Sequence, residues 1–171
     1  MQKNNYKKNI GISLVETIIY VAIFSMIVTA FVSFSNSMTT TRLHNQMDLE
    51  VNDQGQKIMK IITQTIRNSS GVNSPTIGNV SSNLSLVTYQ TSLNPTIFSN
   101  VGGVLYVSEG GGSQIALTNN KVIISNLIFS NLSLPNTGDV IRVSFILSSV
   151  TSGGLAGSYS FTFNGSAQLR K

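Results

Sequence analysis

From Ile18 to Phe34 the chain reads IIYVAIFSMIVTAFVSF, and the Tyr20 phenol is the one titratable group in that run. As a helix rising about 1.5 Å per residue it spans roughly 25 Å, close to the hydrocarbon thickness of a bilayer. This makes it a membrane-helix candidate, and the rest of the chain has to be read around it. Glu16 stands two residues before the run. A carboxylate held near the end of such a helix in lipid costs on the order of 2 to 3 kcal/mol unless a partner neutralises it. No cation follows before Arg42, and the lysines that precede it, Lys3, Lys7 and Lys8, belong to a short polar head, MQKNNYKKNI.

An ordinary secretory signal also joins a basic head to an apolar core, but it is cut after the core at a small-residue site. Ser35, Asn36 and Ser37 offer only a weak version of that site. A cut before the core, at Gly11, has a different consequence. It removes the basic head, keeps the apolar helix, and creates a new amine on Ile12, four residues from Glu16. Glycine suits the position because it presents no side chain to an enzyme working at the membrane face. The cut itself then supplies the missing cation, met either within one chain or between two neighbours whose helices are offset along a common axis.

The ordered combination KKNIGISLVETIIYVAIF resembles the cleavage and methylation segment of type IV prepilins and pseudopilins. The likeness covers about thirty residues: basic leader, Gly11, a hydrophobic Ile12, then Ser13, Leu14, Val15 and Glu16 before a uniformly apolar helix. The resemblance implies cleavage after Gly11 by a prepilin peptidase, N-methylation of Ile12, and a registry role for Glu16 against the N-terminus of another subunit. It also implies a pilin-like fold, and as partners other pilin or pseudopilin subunits and an inner-membrane assembly platform. Two features depart from the family pattern. Isoleucine replaces the commoner phenylalanine at the first mature position, and the proline that many major pilins carry in the membrane helix is missing, since the prolines are Pro75, Pro95 and Pro135. The segments KVIISNLIF, VIRVSFILSS and FTFNGSAQLRK resemble the heads of minor pilins and J-type pseudopilins, which favours a minor over a major subunit. The implied location is the bacterial cytoplasmic membrane with the head outside the cytoplasm, then a pilus or pseudopilus filament.

The net charge of +5 over 171 residues invites a nucleic-acid reading, but three of the 11 basic residues lie in the polar head. The remaining eight face six acids and form no cluster, which argues against an electrostatic DNA-binding face. Cysteine is absent, so packing alone has to hold the fold.

Past the apolar run, Leu43, Met47, Val51, Ile58, Ile62 and Ile66 recur at steps of three, four or their multiples, with Asp48, Asn52, Gln56, Lys60 and Gln64 between them. That pattern predicts an amphipathic helix continuing to about Asn68, where NSSGVNSP gives an exit signal. Gly55 interrupts it at about 1 kcal/mol relative to alanine and reads as a tolerated glycine or gentle bend. The Ser and Asn of SFSNS, residues 33–37, are poor helix formers and predict local loosening.

The remainder reads as β. Alternation places Tyr159, Phe161 and Phe163 on one face of GSYSFTFNG, and Ile141, Val143, Phe145 and Leu147 on one face of DVIRVSFILSS. VLYVS, SQIAL and KVIISNLIF add strands, NLSLVTYQ is a weaker one, and Asn119-Asn120 predicts a two-residue hairpin turn. The expected architecture is α+β. Residues 1–11 form the leader, 12–68 a long helix with about 17–35 transmembrane, and 69–171 a head whose antiparallel sheet covers the outer half of the helix.

Catalytic chemistry has little to stand on. His44 is the single histidine and sits beside Arg42 on a helix, while Glu109 and Asp139 are the only acids after Asp53, too few for a calcium loop. Gly110 to Gly112 have no lysine at Walker spacing and read as a hairpin loop, and no G-x-S-x-G elbow is present. The expectation is a structural subunit, not an enzyme, with no cofactor and no metal. Two other readings share the same N-terminal segment: a surface binding protein tethered by an uncleaved helix, and a small β domain released by ordinary signal peptidase near Asn36 to Thr39.

Overall fold

A computed structural model describes residues 13–135, 137–150 and 159–170. Its first element is a single α-helix, α1, at Leu14–Arg67. Nine strands follow: β1 (Ser69–Ser74), β2 (Val80–Ser81), β3 (Leu84–Thr88), β4 (Thr96–Val101), β5 (Val104–Glu109), β6 (Ile115–Ala116), β7 (Val122–Asn131), β8 (Val140–Ser149) and β9 (Ser160–Gln168). The class is α+β, one long N-terminal helix and antiparallel sheets that its C-terminal portion contacts. The chain divides after Arg42 into two compact units.

In the first unit α1 runs without a break through Ser33–Ser37, so the expected loosening does not occur. There Thr39 donates to the carbonyl of Ser35 at 3.0 Å and Thr41 to that of Ser37 at 2.9 Å, each back onto the turn before it.

In the second unit Val51, Gly55, Ile58, Ile62 and Ile66 form the buried stripe of α1. Leu43, expected on the same stripe, is exposed and Met47 only half-buried, so the seam with the sheets begins near Val51. The strands make two sheets where the sequence predicts one: a five-stranded sheet in the order β1-β3-β4-β5-β6 and a four-stranded sheet in the order β2-β7-β8-β9. All the pairings are antiparallel. The predicted exit loop after α1 is instead β1, which pairs with β3 through two register shifts. Its sequence, SSGVNS, has no apolar alternation to announce a strand.

The inner faces follow the pleat. On β8, Ile141, Val143, Phe145 and Leu147 are all fully buried while Arg142 between them is exposed. On β7 the period slips: Val122 and Ile124 point inward, then Leu127, Phe129 and Asn131. A β-bulge between Ser125 and Ile128 absorbs the slip, with Asn126 at φ 50°. Two residues, Asn126 and Leu127, face one on β8, and asparagine accepts the left-handed conformation better than most side chains. Phe163 of β9 stacks on Phe145 with ring centroids 5.3 Å apart, and Phe161 meets it edge-on at 5.0 Å. Phe161 lies on the expected face but at its rim, with 46% of its surface exposed. Fully buried side chains of this size contribute about 1.5 to 3 kcal/mol each in transfer free energy, and they belong to one continuous cluster.

Two turns differ from expectation. Asn119 and Asn120 join β6 to β7, which lie in different sheets, so they carry the chain between sheets and form no hairpin. Asn119 accepts the Lys121 amide at 3.0 Å and donates to Glu50 Oε1 of α1 at 2.6 Å. The two-residue hairpin lies elsewhere, at Gly102-Gly103 between β4 and β5, where both glycines have positive φ and Val101 pairs with Val104. The glycine run at Gly110 to Gly112 is a hairpin loop, as expected, joining β5 to the short β6.

Candidate functional site: an exposed apolar helix with one carboxylate

Every residue from Ser13 to Thr39 is exposed. Leu14, Met26 and Phe31 each leave 70% or more of their surface uncovered, and Phe24 and Phe34 nearly as much. The apolar side chains wrap the whole circumference of the helix, unlike the one-sided stripe from Val51 to Ile66, and a helix apolar all round belongs in a non-aqueous environment. By length and composition α1 is able to cross a membrane. Its few hydroxyls fit that setting. Thr17, Ser25 and Thr29 donate to the carbonyls of Ser13, Val21 and Ser25, four residues back, so these three have partners without water.

Of the predicted site residues, Gly11 and Ile12 lie outside the described residues. Glu16 is exposed in the first turn of α1, the acidic group of that turn. Placement there sets a negative charge near the positive end of the helix dipole. Arg42 is the first cation after it, and Arg42 contacts Met38 within its own turn. Glu16 does have one neutral partner: the Tyr20 hydroxyl donates to Glu16 Oε1 at 2.8 Å. Sequence reasoning noted Tyr20 as the sole titratable group of the apolar run and missed this contact, although the four-residue spacing that permits it is visible in VETIIY.

The second unit holds a separate polar cluster. Glu50 accepts hydrogen bonds from Asn119 and, at 3.4 Å, from Gln54, and lies 3.6 Å from Lys121 Nζ. The Asn119 amide is the largest influence holding the Glu50 carboxyl below its ordinary value, with the Lys121 charge and Gln54 adding to it against a partial desolvation. These groups tie α1 to the β6–β7 connection. His44 is exposed on α1. Among the described residues no three His, Cys, Asp or Glu side chains are grouped to hold a metal ion. Comparison with protein-family models, with curated proteins and with solved structures returned no match for this chain.

Proposed function

We propose that this chain is a structural subunit, of the minor kind, of a type IV pilus or a type II secretion-like pseudopilus. In this reading a prepilin peptidase cuts after Gly11, the new amine of Ile12 is N-methylated, and the helix is drawn from the membrane into a filament by an inner-membrane assembly platform. The helix packs there against those of other pilin or pseudopilin subunits, with the Glu16 carboxylate paired to the N-terminal amine of a neighbour. The observation that carries the reading is the exposed apolar first part of α1, Ser13 to Thr39, with Glu16 as its single acid. Transfer of that surface from lipid to a bundle of like helices exchanges one apolar setting for another, so close packing and the one ionic pair supply the specificity.

Intact-mass measurement or N-terminal sequencing of the protein from its native membrane tests the reading. A mature chain beginning at Ile12, with the added mass of one methyl group, is the expected result. A chain beginning at Met1 would mark a tethered surface protein, and one beginning near Asn36 to Thr39 a secreted domain. Gly11→Val should leave the precursor uncut, whereas Glu16→Leu should be cut normally and fail to enter filaments.

A further inference from the structure

The contact in the first unit that the proposed function leaves unused is the one between Tyr20 and Glu16. We propose that Tyr20 is a positioning residue for Glu16: its hydroxyl holds one carboxylate oxygen along the helix while the subunit waits in the membrane, and leaves the other oxygen for the cation brought by a neighbour. This rests on the pilin-type reading of Glu16 given above.

Three observations carry it. The phenol hydroxyl lies 2.8 Å from Oε1, and Oε2 receives no hydrogen bond from any described residue. The hydroxyls of Thr17, Ser25 and Thr29 in the same part of the helix donate to backbone carbonyls. The Tyr20 hydroxyl therefore stands apart in serving a side chain. Helical side chains lean toward the N-terminus, so a long residue at i+4 reaches back over the residue at i, and the spacing from Glu16 to Tyr20 matches that reach. In water such a contact would compete with solvent and contribute little. In lipid the alternative is a carboxylate with no partner, and a hydrogen bond to a charged acceptor is about twice as strong as one between neutral groups. Fixing the carboxylate in one rotamer before the neighbour arrives also lowers the ordering cost of the pairing.

The test uses the full chain in its native membrane, as wild type, Tyr20→Phe, Tyr20→Trp and Glu16→Leu. Processing, membrane retention and incorporation into filaments are measured for each, together with the infrared carboxylate band of the unassembled subunit in lipid vesicles. Tyr20→Phe and Tyr20→Trp are expected to be processed and retained like wild type and to lose about tenfold in incorporation. The wild-type minus Tyr20→Phe infrared difference is expected to contain a band that is also missing in Glu16→Leu. Wild-type incorporation of Tyr20→Phe with an unchanged spectrum would overturn the proposal. Restoration of incorporation by Tyr20→Trp while the Glu16-dependent infrared band stays absent would also overturn it, since the ring would then act as an interfacial anchor without donating to the carboxylate. Normal assembly of Glu16→Leu would remove the ionic pairing and with it the role of Tyr20 in assembly, while the spectrum would still decide whether the phenol holds the carboxylate.

Discussion

Gly55 has no room for a methyl group. A Cβ built there would lie 2.0 Å from Cζ of Phe163, and that ring is held by Phe145 on one side and Phe161 on another. The glycine thus serves close helix-to-strand packing, a stronger demand than the tolerated bend its sequence context suggests. Gly55→Ala gains about 1 kcal/mol of helix propensity and forces a repacking that typically costs 1 to 3 kcal/mol or more, so net destabilisation is expected. Thermal unfolding in detergent should show a lowered midpoint, partly recovered when Phe163→Leu is added. Gly165 provides the contrast: its added Cβ would meet Met59 Sδ at 2.6 Å, and the unbranched thioether can swing aside. Gly165→Ala should cost less than Gly55→Ala in the same measurement. Glu50 makes a prediction in pH. Asn119, with Lys121 and Gln54, holds its carboxyl below the ordinary value of 4.5, so the folded state favours the charged form. The associated stability is present above that ordinary value and is lost as pH falls through the lowered one. Glu50→Gln should therefore flatten the acid limb of the stability curve below about pH 4.5 and leave the slope near neutrality unchanged.

The bulge in β7 shows how one residue governs an element. Without Asn126 the strand would carry Leu127 and Phe129 to the outer face, since a slip of one residue reverses every side chain. Asn126→Gly is expected to leave stability unchanged or slightly raised, because the position already has φ 50°. Asn126→Val should cost roughly 1 to 2 kcal/mol, the penalty of a left-handed conformation for a branched side chain, read from denaturant unfolding. Legibility in the sequence varied by element for similar reasons. β8 could be read outright, because the alternation of Ile141, Val143, Phe145 and Leu147 with Arg142 and Ser144 is strict over a full strand. The stripe of Val51, Ile58, Ile62 and Ile66 was equally plain on α1. β4 was missed although Gly102-Gly103 signals a hairpin that requires a strand on each side, and its inward pair, Thr96 and Phe98, contains only one large apolar residue. β2 and β6 are two residues long, and the division into two sheets is set by long-range pairing that no local pattern encodes. At the candidate site, a lone acid beside an apolar run made Glu16 conspicuous, whereas the phenol that meets it was hidden because tyrosine is unremarkable near a membrane interface.

At the scale of the whole chain, the two units solve the problem of apolar surface in opposite ways. The unit ending at Arg42 buries none of its large apolar side chains among the described residues, while the unit from Leu43 onward contains the entire buried cluster, from Val51 on α1 to Leu169 after β9. Stability of the second unit should therefore be independent of the first. A fragment beginning at Leu43 keeps the buried stripe of α1, both sheets and the Glu50, Asn119 and Lys121 contacts, and among the described residues it loses no buried side chain. It is expected to be monodisperse in size-exclusion chromatography without detergent and to unfold cooperatively, with a midpoint within a few degrees of the head transition of the full chain. The full chain should require detergent or vesicles under the same conditions, because a helix apolar on all sides leaves far more than the few hundred Å² of contiguous apolar surface that soluble monomers tolerate. A fragment that is unfolded or needs detergent would mean that the first unit contributes to the core, and the separation of an anchoring or assembling helix from a self-sufficient head would fail. If the fragment is folded and still cannot enter filaments in cells that carry the full chain, assembly depends on the segment before Leu43, where Glu16 and Tyr20 lie.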